Sequence, residues 1–109
     1  MYVSIEQIKI GTVNFIENEI ASKAVGVQKF MTYFAIPIIS SKIESYANSF
    51  KGNTFVKDFF DECGNINLDD LYNVSKQSIR KSGQFSIYGV ILGESDIDSI
   101  YNYIRNAVA

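Results

Sequence analysis

Phe30-Met31-Thr32-Tyr33-Phe34-Ala35-Ile36-Pro37-Ile38-Ile39 is the most apolar run in the chain and holds its only proline. Wound as a helix, it places apolar side chains on every face, the pattern of a segment buried all round. The expectation is a central helix over about 27–47, with the other amphipathic segments packed over it as covers. Pro37 removes one backbone donor and crowds the carbonyl one turn back. A kink near Ala35–Pro37, or a division into two helices, is therefore expected. Beyond it, Ile39, Ile43, Tyr46 and Phe50 continue one apolar stripe, while Lys42, Glu44 and Ser45 are polar.

Working outward toward the N-terminus, Ser4 followed by Gln7 is a capping-box pattern that starts a helix at about Ile5. Ile5, Ile8, Val13, Ile16 and Ile20 recur at near-helical spacing, with Glu6, Lys9, Glu17 and Lys23 on other faces. Gly11 weakens that helix by roughly 1 kcal/mol relative to alanine, so a break is allowed there. Gly26 serves as a stop or a tight joint. On the other side of the central segment, Lys51-Gly52-Asn53-Thr54 reads as a turn. A short helix is expected after it, burying Phe55, Val56, Phe59 and Phe60 and ending at Gly64.

The last third contains an echo. Asn67-Leu-Asp-Asp-Leu-Tyr-Asn73 lines up with Asp96-Ile-Asp-Ser-Ile-Tyr-Asn102. Both read as helix starts with a polar cap and early carboxylates, and in the second copy Ser95 competes with Asp96 for the cap. The match is read first as a shared capping recipe, with a short internal repeat as the alternative. Ser82-Gly83 ends the first of these helices. In Gln84–Gly93, Phe85 and Ile87 alternate with Gln84 and Ser86, a strand pattern that Gly89 can fold into a small hairpin. The closing helix carries Ile97, Ile100, Tyr101, Ile104 and Val108 on one side. The fold expected is mainly α, or α+β with a very small sheet. It is a compact bundle of four or five helices around a buried central helix, plus one short β-hairpin near 84–92, in a single domain spanning 1–109.

Composition narrows the function classes. Hydrophobic residues at 47% and charged residues at 20% of 109 are globular values. A net charge of −2 argues against a general polyanion binder. The single cysteine, Cys63, excludes an internal disulfide and fits a reducing compartment. Histidine is absent, which removes the commonest metal ligand and the usual general base near neutral pH. The longest apolar run falls well short of the roughly 20 residues that span a bilayer. Met1-Tyr2-Val3-Ser4-Ile5-Glu6 lacks the basic start and apolar run of a signal peptide, so no membrane span and a cytoplasmic location are expected.

Asp61–Tyr72 superficially resembles a twelve-residue calcium loop, with Asp61, Asn65 and Asp69 at ligand positions. Cys63 at the third position, Ile66 in place of the glycine and Tyr72 in place of the bidentate glutamate defeat it. A helix-turn-helix reading of the same region fails because Asp69 and Asp70 would meet phosphates at the end a recognition helix presents to DNA. Lys76, Arg80 and Lys81 lie at the other end, where the helix dipole explains them. Cys63 follows two acids and has no histidine to activate it, so it reads as a small residue at least partly buried. The carboxylates at 58, 61, 62, 69 and 70 read as a solvated edge, and no glycine loop is spaced to cradle phosphate. No catalytic, metal or cofactor-binding residue is expected.

Tyr33, Tyr46, Tyr72 and Tyr101 fall on apolar stripes and are expected in the core. Tyr103 sits off its stripe and is the candidate contact with another chain. Gly-Asn-Ile-Asn-Leu-Asp-Asp-Leu-Tyr (64–72), Gly-Gln-Phe-Ser-Ile (83–87) and Ser-Asp-Ile-Asp-Ser-Ile-Tyr-Asn-Tyr-Ile (95–104), in that order, resemble small uncharacterised proteins encoded in prophages of low-GC Gram-positive bacteria. The resemblance implies a setting but no activity and no site residues. The functional expectation is a non-enzymatic interaction or assembly protein, with a protein partner or a homo-oligomer. The alternative is a small nucleic-acid-binding regulator resting on Lys76, Arg80 and Lys81, and nucleic acid is the disfavoured partner.

Overall fold

The computed structural model describes residues 1–50 and 59–108. Its elements in order are β1 (Tyr2–Val3), α1 (Ile5–Phe15), a π-helical stretch (Ile16–Ala21), α2 (Val27–Asn48), β2 (Ile66–Asn67), α3 (Leu68–Ser82), β3 (Phe85–Ile87), β4 (Val90–Leu92) and α4 (Glu94–Val108). The protein is mainly helical, with two antiparallel two-stranded sheets, β1–β2 and β3–β4. Among the described residues, no helix is long and apolar enough to cross a membrane.

Local chemistry explains most element ends. Ser4 accepts from the Gln7 backbone N–H while the Gln7 side chain accepts from the Ser4 N–H, a complete capping box. Asn67 accepts from the N–H groups of Asp69 and Asp70 to cap α3, and Gly83 ends it at a φ of 88°. Tyr88 and Gly89 both take positive φ, 48° and 82°, which gives the primed turn that matches strand twist. At α4 neither Ser95 nor Asp96 is the cap. The helix begins at Glu94, and the Asp96 carboxylate reaches back to the Gly93 N–H at 2.7 Å. The two halves of the sequence echo therefore occupy different helical positions: Asn67 is a cap, and Asp96 lies inside the first turn.

The core is built where α1, α2, α3 and α4 meet, from residues including Ile8, Phe15, Ile16, Ile39, Leu68, Leu71, Ile100 and Ile104. Gly11 does not break α1. It lies against Ile104, so the missing side chain lets α1 and α4 approach closely. The α-helical pattern widens instead at Ile16–Ala21, where the Ser22 N–H reaches the Glu17 carbonyl at 3.0 Å.

Several expectations are corrected or narrowed. The central helix is not encased: Phe30, Tyr33 and Phe34 are exposed, because the side facing the core is the one bearing Thr32, Ala35 and Ile39. Tyr33 is therefore not a core residue. Of the two outcomes expected at Pro37, division is excluded, since α2 runs unbroken through it. The carbonyl deprived of its donor is that of Tyr33, on the solvent side, where water can serve it. Finally, no helix ends at Gly64. Phe59 is buried as expected, but Phe60 bridges Ile66 in extended pairing, and the Asn67 N–H donates to the Phe59 carbonyl at 2.8 Å. Phe55, Val56 and the turn at 51–54 lie outside the described residues. The first sheet was not expected: β2 pairs with β1 at the N-terminus, Val3 opposite Ile66, and both side chains are buried.

Candidate interaction surface

The N-terminal half of α2 is built inside out. Gly26 at φ 60° turns the chain into the helix. Val27, Phe30 and Phe34 then follow at spacings of three and four, so they share one face. They are 74%, 72% and 70% exposed. The opposite stripe is Thr32, Ala35 and Ile39, and the two small residues at its start let the helix backbone press close to its neighbours. Thr32 needs no outside partner, since its hydroxyl donates to the Gln28 carbonyl at 2.9 Å. The large side chains of Phe30 and Phe34 are displayed on the other side.

Between Val25 and Ile39 the only charged residue is Lys29. An exposed stripe of large apolar side chains with so little charge differs from the scattered single hydrophobes of an ordinary surface. It matches the core of a protein interface, where aromatics are enriched and charges depleted. Beside it, the hairpin turn at Gly89 lies against the Gln28 side chain, and Tyr88 and Ile91 of the hairpin are also exposed.

Tyr103 is engaged within the chain. Its ring packs edge-on against Phe15 with centroids 5.9 Å apart, and its hydroxyl donates to Glu19 at 3.0 Å. This contact pins α4 to the π-helical stretch. The hydrogen bond to Glu19 raises the tyrosine pKa and, with Lys23, holds the carboxyl of Glu19 below its usual value.

The basic cluster lies on α3, and two of its three members, Lys76 and Arg80, pair with carboxylates of α4. Lys76 donates to Asp98 at 3.0 Å and lies 3.8 Å from Glu94, while Arg80 pairs with Glu94. Tyr72 donates to the same Asp98, and Tyr101 donates to Asp69 at 2.7 Å. The α3–α4 face thus carries a polar network in which Lys76 and Arg80 meet the carboxylates of Glu94 and Asp98. In the 61–65 turn, the Asp61 carboxylate accepts from the backbone of Cys63 and Asn65 and from the Asn65 amide. Its oxygens are spent on shaping a turn, and Cys63 is exposed beside it rather than buried. Among the described residues, no group of three or more acidic or cysteine side chains is placed to hold a metal.

These ion pairs and hydrogen bonds set a pH profile. The Tyr72 hydrogen bond, then Lys76, lowers the pKa of Asp98 from 3.8, and Glu19 is lowered from 4.5. Their contributions are present above those values and are lost as pH falls through the lower folded ones. Tyr101 and Tyr103 are raised from 10.0 by their carboxylate acceptors. Lys9 and Lys76 are raised from 10.5 by Glu44 and Asp98 respectively. Those contributions are present below 10.0 and 10.5 and disappear as pH rises through the folded values. Urea midpoints are expected to be level between about pH 5 and pH 9 and to decline on both sides. Tyr103→Phe is expected to move the Glu19 carboxyl back toward its usual pKa, readable by carboxyl carbon NMR.

Compared with family models, with curated proteins and with solved structures, the chain matches none.

Proposed function

We infer that this chain is a soluble, non-enzymatic interaction or assembly protein that docks another protein through the exposed face of α2. The observation that carries the reading is the Val27–Phe30–Phe34 stripe at 70% exposure or more. Burying three such side chains provides a driving force of roughly 1.5–3 kcal/mol each before the cost of association. Tyr103 is set aside as the contact because its ring and hydroxyl already have partners in the same chain. The absence of histidine supports a non-enzymatic role. The pairing of Lys76 and Arg80 with Glu94 and Asp98 weighs against the nucleic-acid alternative. A cytoplasmic location accords with the lone exposed cysteine, and the likeness of residues 64–104 to small prophage proteins suggests a prophage-encoded origin.

The partner we assign first is a second copy of the chain. An uncharged apolar helix face is self-complementary, and two-fold dimers are the commonest assemblies. Size-exclusion chromatography with light scattering over a concentration series tests this. The wild type is expected to pass from monomer to dimer as concentration rises. The Phe30→Ser, Phe34→Ser variant should remain monomeric with its thermal stability nearly unchanged, since both positions are exposed. A wild-type monomer at every concentration refutes self-association, and a dimer that survives both substitutions refutes this face.

A further inference from the structure

The C-terminal half of α2 borders a different feature. A cavity of about 400 Å³ lies between α1, α2, α3, α4 and the hairpin. Its walls are largely aliphatic, with Ile8, Ile39, Ile43, Leu71, Ile100 and Ile104 contributing. That volume falls within the roughly 300–1,000 Å³ of small-molecule pockets. The α2 residues that line it begin at Ile39, so it shares no side chain with the Val27–Phe34 stripe.

The polar atoms around the cavity select its occupant. Tyr46, Tyr72 and Tyr101 line it, yet their hydroxyls bond Ser78, Asp98 and Asp69. Thr12 donates its hydroxyl to the Ile8 carbonyl. A sugar or nucleotide would bury many hydroxyls and amides against these walls with few partners, at high cost. Among the described residues, one charged side chain lines the cavity, Lys42; it has no ion pair with any of them, and none of them brings a carboxylate to the lining. Lys42 is exposed while it also lines the cavity, so its side chain borders both the cavity and solvent. An apolar container bordered by an exposed lysine suits a molecule with the opposite layout.

We propose that this cavity binds a free long-chain carboxylate, with the alkyl chain among the aliphatic side chains and the head group at Lys42. The inference is independent of the α2 docking face. Isothermal titration of the purified full chain with decanoate and dodecanoate, below their micelle concentrations, tests it. One equivalent is expected to bind, with affinity rising roughly fourfold per added methylene. Lys42→Glu is expected to weaken dodecanoate about tenfold and to leave dodecan-1-ol unchanged. Ser75→Leu, which adds bulk to the cavity wall, should weaken both ligands. Should that variant fail to fold, the chain-length series and the Lys42 arm still decide. Absence of saturable binding, uptake of several equivalents, affinity indifferent to chain length, or dodecanoate binding unmoved by Lys42→Glu would each overturn the proposal.

Discussion

Gly11→Ala is expected to destabilise the protein by about 2 kcal/mol, although alanine is the better helix former. A Cβ at residue 11 would lie 2.4 Å from Ile104 Cγ1, 2.9 Å from its Cα and 3.0 Å from its backbone nitrogen. The first contact can be relieved by a rotamer change, but the other two are main chain, so α4 itself must move away from α1. Overpacking of this kind costs about 1–3 kcal/mol, and a backbone contact belongs at the upper end. The propensity gain of roughly 1 kcal/mol offsets only part of that. For a chain of this size the net loss lowers Tm by roughly 8–16 °C, and Gly11→Val should lower it further. Thermal unfolding followed by circular dichroism gives the answer. In an Ile104→Ala background the effect should shrink but persist, because the Cα and nitrogen contacts remain. A Gly11→Ala protein more stable than the wild type would mean that the helices do not cross at this point.

That close approach illustrates which parts of the fold were readable in the sequence. The Ser4–Gln7 box and the stop at Gly83 are interactions between residues a few positions apart, and local chemistry sets them almost alone; in the hairpin turn Gly89 suits its positive φ, whereas Tyr88 at 48° runs against local preference. Gly11 shows the limit. Its local reading, a weak point in a helix, was sound about propensity but blind to Ile104, which arrives from the far end of the chain. The β1–β2 pair is a stronger case. Two-residue strands leave no periodicity, and Val3 and Ile66 meet only because the whole chain returns to that point.

The exposed face of α2 escapes a reading of the sequence for a related reason. Apolar composition says that a helix can be buried on all faces, not that neighbours exist to cover them. In α2 the informative residues are the small Thr32 and Ala35, which with Ile39 form a stripe at spacings of three and four. Close packing against that stripe consigns Phe30 and Phe34 to the outside. Tyr103 was singled out because it lies off its own helix's stripe, a one-helix criterion. Its partners, Phe15 and Glu19, belong to the opposite end of the chain and were invisible to it. Lys42 was read simply as a polar interruption, since a cavity exists only once five elements have been assembled.

Phe59→Ala is expected to cost about 3–5 kcal/mol, the largest loss among the single changes considered. Phe59 is 2% exposed and sits in a row of aromatic rings. Its centroid lies 4.8 Å from that of Phe50 and 5.1 Å from that of Phe60, and Phe50 is in turn 5.2 Å from Tyr46. Truncation removes ring contacts worth roughly 0.5–1.5 kcal/mol each beyond the buried area. It also opens a void that the adjoining main chain cannot collapse into, because the Phe59 carbonyl holds the Asn67 N–H and Phe60 is bridged to Ile66. Set against the usual 5–15 kcal/mol of a folded domain, the remainder is small. Urea unfolding should show a lower midpoint with an unchanged slope, the signature of lost stability without a change in the surface exposed. Phe60→Ala provides the contrast. That ring is only partly buried, so the loss should be clearly smaller. Equal losses at the two positions would mean that the aromatic row does not face the core as described. A Phe59→Leu protein should recover most of the stability, since leucine refills much of the volume and forfeits chiefly the ring geometry.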